Sequence, residues 1–297
     1  MFNRKLLAQL LTGIALTIGS VGMAQATLSS LLLNGNNVIE DDSNEYVFRP
    51  DGGGGYDLIT SGALAVGDVL VQVLDFPIIN GTNIDSQGYE LTGLALNTVT
   101  DLSTPVLFDP DGFGPRPSYL AVNAEFGVAT SADWLTLVGI DTTSLGFDAT
   151  GLFSLLYEDT QNNLDVHSQG YPTGVANAAD GTLRLGLSLT DPADFAVSTN
   201  VPSLVETFLI GTGGVTQYGT FDYGLTVAYQ NIPNWNVNSQ FIGSGTNLTT
   251  DRPLIAAVID DTQASFSANP VPEPGSLALL SVGLLGFGFL RRRSVKS

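Results

Sequence analysis

Two aspartates near the middle of the sequence could bind a metal ion. Asp109 and Asp111 lie two positions apart just before Gly112, so a turn could bring both carboxylates to one side. Calcium takes about six to eight hard oxygen ligands and can occupy weak sites in extracellular loops. An EF-hand loop would also need an oxygen ligand at its fifth position and a glutamate at its twelfth, which here are Phe113 and Leu120. The pattern therefore predicts at most a structural calcium ion, with an ordinary acidic turn as the alternative, and it indicates no other cofactor.

A tryptophan in an amide-rich segment could contact carbohydrate. Trp235 lies within residues 231–236, which read Asn-Ile-Pro-Asn-Trp-Asn. Sugars stack their apolar faces on aromatic rings, and amides satisfy the surrounding hydroxyl groups. The segment thus predicts an aromatic platform for a glycan, with packing in the core as the alternative role of this side chain.

Most catalytic chemistries lack their residues in this chain. It contains no Cys and one His, and no Lys lies between residues 27 and 276. This excludes a cysteine nucleophile, a multi-histidine metal centre and a lysine Schiff base. A Ser-His-Asp triad would depend on His167, whose neighbours Asp165 and Ser168 lie in the same polar stretch, and neighbours in one loop rarely form a triad. Two carboxylates could hydrolyse glycans, but acids adjacent in the sequence point to opposite faces of a strand. We therefore expect a protein that is not an enzyme, and a secreted glycan hydrolase remains as a further hypothesis.

The middle of the chain is strongly acidic. All 29 Asp and Glu lie within residues 27–276, where four Arg are the only basic residues, so this part carries a net charge of −25. Nucleic-acid binding is driven by Lys and Arg that displace counterions from phosphates. The charge therefore excludes a nucleic-acid partner.

The N-terminus has the three parts of a secretory signal peptide. Arg4 and Lys5 precede an apolar run at residues 6–21, and Ala24 and Ala26 occupy the two positions that signal peptidase reads. The pattern predicts export across the inner membrane and cleavage by signal peptidase after Ala26. An uncleaved N-terminal anchor is the alternative.

The C-terminus combines a proline motif, a short apolar stretch and a basic cluster. Residues 277–290 carry no charge, and as a helix these 14 residues would reach only about 21 Å at ~1.5 Å per residue, less than the ~30 Å hydrocarbon thickness of a bilayer. The arginines that follow are expected to stay in the cytoplasm by the positive-inside rule. The stretch thus predicts temporary retention at the inner membrane. The flanking motif and cluster consist of Val271, Pro272, Glu273 and Pro274 before the stretch and Arg291, Arg292 and Arg293 after it.

Residues 271–293 resemble a PEP-CTERM sorting signal, because all three parts of that signal occur in order at the chain end. The resemblance implies a Gram-negative-type bacterium that makes exopolysaccharide. It also implies processing by an exosortase, a membrane cysteine transpeptidase that cleaves near the motif, and delivery to the cell surface or extracellular matrix. A plain C-terminal membrane anchor is the alternative.

Hydrophobic residues with period two predict a mainly β fold. In residues 182–190 leucines alternate with polar residues and glycine, which is typical of a strand with one buried face, and residues 69–74 read as a strand covered on both faces. Many short strands separated by turns such as Asn80 and Gly81 indicate an antiparallel β-sandwich or jelly-roll-like domain. Further strands are predicted at 89–98, 120–128, 134–140, 152–158, 223–229, 254–259 and 262–268, and short helices at 60–65 and 202–210.

These patterns divide the chain into four parts. The predicted parts are a signal peptide (1–26), an acidic β-rich extracytoplasmic domain (27–266), a linker with the Pro-Glu-Pro motif (267–276), and a C-terminal hydrophobic helix with a basic tail (277–297). We predict one domain with a long loop at 159–180, and two packed subdomains are the alternative.

The first functional hypothesis is an exported structural or adhesive protein of the cell surface or exopolysaccharide matrix. The alternative is a calcium-dependent or aromatic-platform carbohydrate-binding module that follows the same route. Exopolysaccharide or a cell-surface glycan is therefore the expected partner besides the two processing enzymes and the inner membrane.

Overall fold

Antiparallel strands dominate the protein. The computed structural model describes residues 27–60, 62–101, 122–166, 168–189, 195–199, 209–210, 219–237, 241–247 and 258–271. The strands are β1 (Gly35–Pro50), β2 (Tyr56–Ile59), β3 (Gly62–Ala63), β4 (Val69–Ile79), β5 (Thr82–Asn83), β6 (Glu90–Asp101), β7 (Val122–Val128), β8 (Leu152–Asp159), β9 (Thr182–Ser188), β10 (Phe195–Thr199), β11 (Leu209–Ile210), β12 (Gly219–Gln230), β13 (Trp235–Val237), β14 (Phe241–Asn247) and β15 (Val258–Pro270). The helices are α1 (Leu28–Leu31), α2 (Ser131–Val138) and α3 (Thr173–Ala178), with 3-10 turns at Asp85–Gln87 and Thr142–Ser144.

Eight of these strands close into a barrel. They pair antiparallel in the order β1, β4, β6, β8, β9, β12, β14 and β15, and β15 returns to β1. Strands β7 and β10 make a second connection between β6 and β12 within the same 13-stranded sheet. The predicted mainly β, antiparallel fold is confirmed, and its layers are the opposite walls of one closed sheet.

Closure of the barrel depends on the first and last long strands. β1 pairs with β15 over eleven residue pairs, from Gly35 opposite Ala268 to Glu45 opposite Val258. The start of β1 and the end of β15 therefore lie side by side, so both ends of the described chain leave from the same end of the barrel.

The barrel interior is filled by the inward faces of all eight strands. The inward residues are Leu185 and Leu187 on β9 and Leu189 just after it, and stacked Phe241 and Phe266 fill the interior from β14 and β15. Burying each such side chain contributes about 1.5–3 kcal/mol. Leu28 and Leu32, at and beyond α1, pack into the same interior cluster.

A second apolar cluster lies outside the barrel. Val69, Val71 and Val73 of β4 face it, while Leu70 faces the interior, so the prediction that this strand is covered on both faces is confirmed. The cover comes from α2, α3 and residues 159–181, whose apolar side chains pack on the outward faces of β1, β4, β6 and β8.

Two secondary-structure predictions were wrong. The strand predicted at 134–140 is helix α2, because Thr130 and Asp133 form a capping box at its start and Gly139 takes a left-handed conformation, φ 75°, at its end. The helix predicted at 60–65 is absent from the described residues there, since β3 pairs with β11 instead. Of the helix predicted at 202–210, residues 209–210 form β11 and the others lie outside the described residues.

Candidate functional site

The last strand runs directly into the predicted sorting motif. β15 continues to Pro270, and β13 pairs with it so that Trp235 lies opposite Pro270. The Val271 N–H donates to the Asn234 carbonyl at 2.7 Å. The sheet therefore ends two residues before Pro272, with Val271 between them.

β15 extends into the segment that was predicted as the linker. The linker predicted at 267–276 begins inside β15, where Ala268 is fully buried in the barrel interior. Residues 264, 266 and 268 alternate inward as a strand requires, so the fold extends to Val271. The predicted Pro-Glu-Pro motif thus begins in the sequence directly after Val271.

A tight turn positions Trp235. Its backbone N–H donates to the Ile232 carbonyl at 3.3 Å, and between them Asn234 takes a left-handed φ of 65°. Pro233 fixes φ at the first central position of such a turn, and Asn tolerates positive φ better than most residues. The sequence Asn-Ile-Pro-Asn-Trp-Asn thus brings Trp235 back against β15.

The indole of Trp235 joins the two ends of the described chain. Its ring is half-buried against the barrel interior, and Nε1 donates to the Ser29 carbonyl at 2.7 Å. We call the contacts among Ser29, Asn234, Trp235, Pro270 and Val271 the terminal clasp. The structure therefore brings together two predicted site residues, Trp235 and Val271, and the glycan contact of Trp235 stays a prediction.

The N-terminal side of the terminal clasp is held by burial. Leu28 is 1% exposed, and its N–H donates to Glu158 Oε1 at 3.2 Å. Thr27 precedes α1, and its N–H donates to Ser30 Oγ at 2.9 Å. The residues that follow the predicted signal-peptidase site are thus packed into the fold.

An ion pair links this N-terminal segment to the turn before Trp235. Glu158 and Arg184, 6% and 17% exposed, form a salt bridge. Arg184 Nη1 also donates to the Asn231 carbonyl at 2.9 Å, and the Asn231 N–H donates back to the Arg184 carbonyl at 2.8 Å. Sequence reasoning missed these residues, although an isolated arginine among the alternating leucines of a very acidic domain was a usable signal.

An open groove lies beside the terminal clasp. None of the described residues that line it is ionisable, although the domain is strongly acidic. Part of the lining is fixed, since Gln230 donates to Asn236 and accepts from the Val237 N–H at 2.6 Å. The lining consists of Gln230, Asn231, Ile232, Trp235, Asn236, Asn269, Pro270 and Val271.

The barrel interior contains a buried acid but little space. Glu45 accepts a hydrogen bond from Gln72 Nε2, and burial raises the pKa of Glu45 to about 7 while this bond opposes the rise. The adjoining cavity, lined by Asp41, Gln72, Ser154 and apolar side chains, has a volume of about 40 Å³. Ligand pockets occupy roughly 300–1,000 Å³, so this cavity holds no more than a few waters.

Acids also gather where β4 and β6 meet the long loop. Burial, together with the charges of Asp85 and Glu90, raises the pKa of Asp75 to about 8. Burial likewise raises the pKa of Glu90 to about 7, and the Leu164 N–H bonded to Glu90 Oε1 at 2.8 Å opposes the rise. Within the described ranges, no group of three or more His, Asp or Glu is arranged to hold a metal ion.

Most predicted site residues fall outside the described part of the chain. Over the residues that the structure covers, no helix is both long and apolar enough to cross a membrane. The predicted site residues outside the described ranges are Ala24, Ala26, Asp109, Asp111, Pro272, Glu273, Pro274, Arg291, Arg292 and Arg293, and His167 is outside them as well.

Comparison with known proteins identifies the motif beside the terminal clasp. Residues 270–293 match the PEP-CTERM protein-sorting motif, so the resemblance seen in the sequence is confirmed. The motif marks an exported substrate of an exosortase that is sorted to the cell surface. No curated protein matches the chain. Among solved structures, the chain is similar to an acetoacetate decarboxylase-like enzyme from Sphingomonas wittichii RW1, with 12% identity over 82% of this chain and 95% of that one and a TM-score of 0.19.

Proposed function

We propose that this protein is a structural or adhesive component of the cell surface or exopolysaccharide matrix of a Gram-negative-type bacterium. The PEP-CTERM motif at residues 270–293 carries the proposal. On this route, signal peptidase removes residues 1–26, the apolar tail retains the protein at the inner membrane, and an exosortase then cleaves near Pro272, Glu273 and Pro274.

The packed barrel interior supports the structural part of this proposal. The barrel interior is packed with apolar side chains, and its cavity of about 40 Å³ is far below the roughly 300 Å³ of the smallest usual ligand pockets. A net charge of −25 over residues 27–276 keeps such a β-rich surface solvated and discourages association between sheet edges. These properties suit a stable displayed domain.

Replacement of Pro272, Glu273 and Pro274 by alanine tests the proposal. Cell fractionation and C-terminal peptide mass spectrometry should find a cleaved tail and surface delivery for the wild type, but an intact tail and inner-membrane retention for the variant. Asp57→Ala, an exposed change on β2, is the matched control and should be processed normally. Unchanged processing of the triple variant would leave only a plain membrane anchor and reject the proposal.

The groove beside Trp235 favours carbohydrate binding as a second candidate function. Its lining combines an indole with the amides of Asn231, Asn236 and Asn269 and offers no ionisable group among the described residues, which suits a neutral glycan. Pull-down with the host exopolysaccharide should give saturable binding that weakens in Trp235→Ala and Asn269→Ala. Equal binding by all three proteins would remove this function, and turnover of the polysaccharide would instead indicate a secreted glycan hydrolase.

A further inference from the structure

The two processed ends of the chain leave the barrel at one place. Ser29, close to the predicted signal-peptidase site, accepts the Trp235 Nε1–H bond, and Trp235 lies opposite Pro270, close to the sorting motif. Before processing, the signal peptide and the tail would therefore extend from the same end. The basic residues that flank both segments are expected on the cytoplasmic side, so this end must face the membrane.

The tether between barrel and tail is short. Val271 is held by the Asn234 carbonyl, and the apolar stretch starts at Leu277, six residues later. Six residues span at most about 20 Å when fully extended, at roughly 3.3–3.6 Å each. If the tail enters the bilayer, the terminal clasp lies within that distance of the lipid surface.

The surface around the terminal clasp has the chemistry of a membrane interface. Leu33, just before β1, and Val271, just after β15, are 54% and 48% exposed, and half-buried Trp235 lies opposite Pro270, next to Val271. Trp is enriched where membranes meet water, because its ring is apolar and its N–H is polar. Asp159 at the end of β8 and Asp180 in the loop before β9 lie at this end of the barrel too, since Glu158 of β8 bonds the Leu28 N–H. Their negative charges would repel anionic lipid, so the surface suits zwitterionic lipid.

We propose that the barrel end bearing the terminal clasp is a membrane-contacting surface, which lies against zwitterionic phospholipid headgroups while the tail holds the protein in the inner membrane. This inference rests on the proposed function, because it requires the tail to be inserted in lipid. It adds an orientation in which the motif lies between the barrel and the bilayer.

The two tryptophans of the chain allow a direct test. Trp134 is 1% exposed in α2, and its neighbour Asp133 bonds Tyr56 of β2, which pairs with the far end of β1. Trp134→Phe leaves Trp235 as the single reporter at the terminal clasp, and Trp235→Phe leaves Trp134 as the reporter near the opposite end. Trp134 Nε1 has no hydrogen-bond partner among the described residues, so Phe replaces it without breaking a bond.

The full-length chain is reconstituted in phosphatidylcholine vesicles, with and without a nitroxide on the lipid headgroup. We expect the nitroxide to quench Trp235 emission strongly and to leave Trp134 emission nearly unchanged. Circular dichroism of each variant checks that the barrel is folded. Equal quenching of the two reporters in vesicle-bound protein would overturn the orientation and leave the proposed function intact.

Two substitutions that each introduce a charge distinguish contact between the barrel end and the lipid from simple attachment through the tail. Leu33→Asp should reduce the quenching of Trp235, because it places a charge in the contact surface. Val66→Asp is the matched control, since Val66 is 61% exposed just before β4, at the far end of β1, and should leave the quenching unchanged. Protein that fails to sediment with the vesicles would contradict both the tail anchor and this inference, whereas bound protein with no effect of Leu33→Asp would contradict the inference alone.

Discussion

Replacing Glu45 by glutamine should remove one source of pH dependence from the stability of the barrel. Glu45 is buried, and its carboxylate accepts a hydrogen bond from Gln72. The glutamine carbonyl has the same shape and can accept the same bond. The substitution therefore removes the titrating proton with little change in packing.

The size and sign of the effect follow from the raised pKa of Glu45. Burial raises this pKa from 4.5 to about 7 in the folded state. The folded protein then binds the proton more tightly than the unfolded chain, so the free energy of unfolding falls as pH rises from about 4.5 to about 7 and is constant above. At about 1.4 kcal/mol for each pH unit of difference, Glu45 costs the folded state on the order of 3 kcal/mol above pH 7.

Urea unfolding of the protein in nonionic detergent at pH 5 and pH 8, followed by tryptophan fluorescence, measures this effect. From pH 5 to pH 8, Glu45→Gln should gain about 2–3 kcal/mol of stability relative to the wild type, because part of the effect is already lost at pH 5. Burial also raises the pKa values of Asp75 and Glu90, so these two acids lower the free energy of unfolding as the pH rises in this range. They do so equally in Glu45→Gln and in the wild type, so their effect cancels in the comparison.

Asp51→Asn is the matched control for this experiment. The Asp51 carboxylate accepts the Gly53 and Gly55 N–H groups at 2.7 and 2.9 Å, which lowers the pKa of Asp51. The stabilising effect of the Asp51 carboxylate is lost only when the pH falls below the usual pKa of an aspartate. The difference in the free energy of unfolding between this control and the wild type should therefore be the same at pH 5 and pH 8. Parallel curves for Glu45→Gln and the wild type would refute the burial argument.

Three further outcomes test separate parts of the structure. Thr130→Ala should lower the free energy of unfolding by about 1 kcal/mol, seen as a lower urea midpoint, because it removes the cap of α2, and Thr130→Ser should restore it. Leu28→Ala should cost about 2–5 kcal/mol in the same assay, since a fully buried side chain leaves a cavity at the barrel end. If Asp109 and Asp111 bind calcium, a chelator should lower the melting temperature and calcium should restore it, and Asp109→Asn should abolish both shifts; identical melting curves would reject the site.

The sequence correctly predicted the features that depend on neighbouring residues, such as turns and the buried face of a strand. Asn80 and Gly81, predicted as a turn, take φ values of 51° and 74° between β4 and β5, as a two-residue hairpin requires. Leu185 and Leu187 of β9 and Leu189 just after it face the interior as predicted, whereas Leu183 packs in the outer cluster because the register shifts at this point of β8 and β9. The prediction of a strand at 134–140 was wrong because Thr130 and Asp133 at the start and Gly139 at the end specify a helix.

Closure of the sheet and the terminal clasp could not be predicted in the same way. The pairing of β1 with β15 and the Trp235 bond to Ser29, 206 residues away in the chain, depend on contacts that no local pattern encodes. The amide-rich turn drew attention to Trp235, but its position beside Pro270 follows only from the strand register. The sorting motif was readable because its three parts are contiguous.

The place of β15 in the barrel ties folding to maturation. β15 lies between β1 and β14, so the barrel keeps two open edges until residues 258–270 have paired, and open edges invite pairing with other chains. This strand ends seven residues before Leu277, so on the proposed route the final strand and the apolar tail leave the secretion channel together. On this route the tail stays attached to the barrel until cleavage. While it holds the chain at the membrane, β15 can therefore pair with β1 and β14 and close the barrel. The terminal clasp completes that pairing at the residue before Pro272, which places the finished fold directly beside the motif that the exosortase must reach.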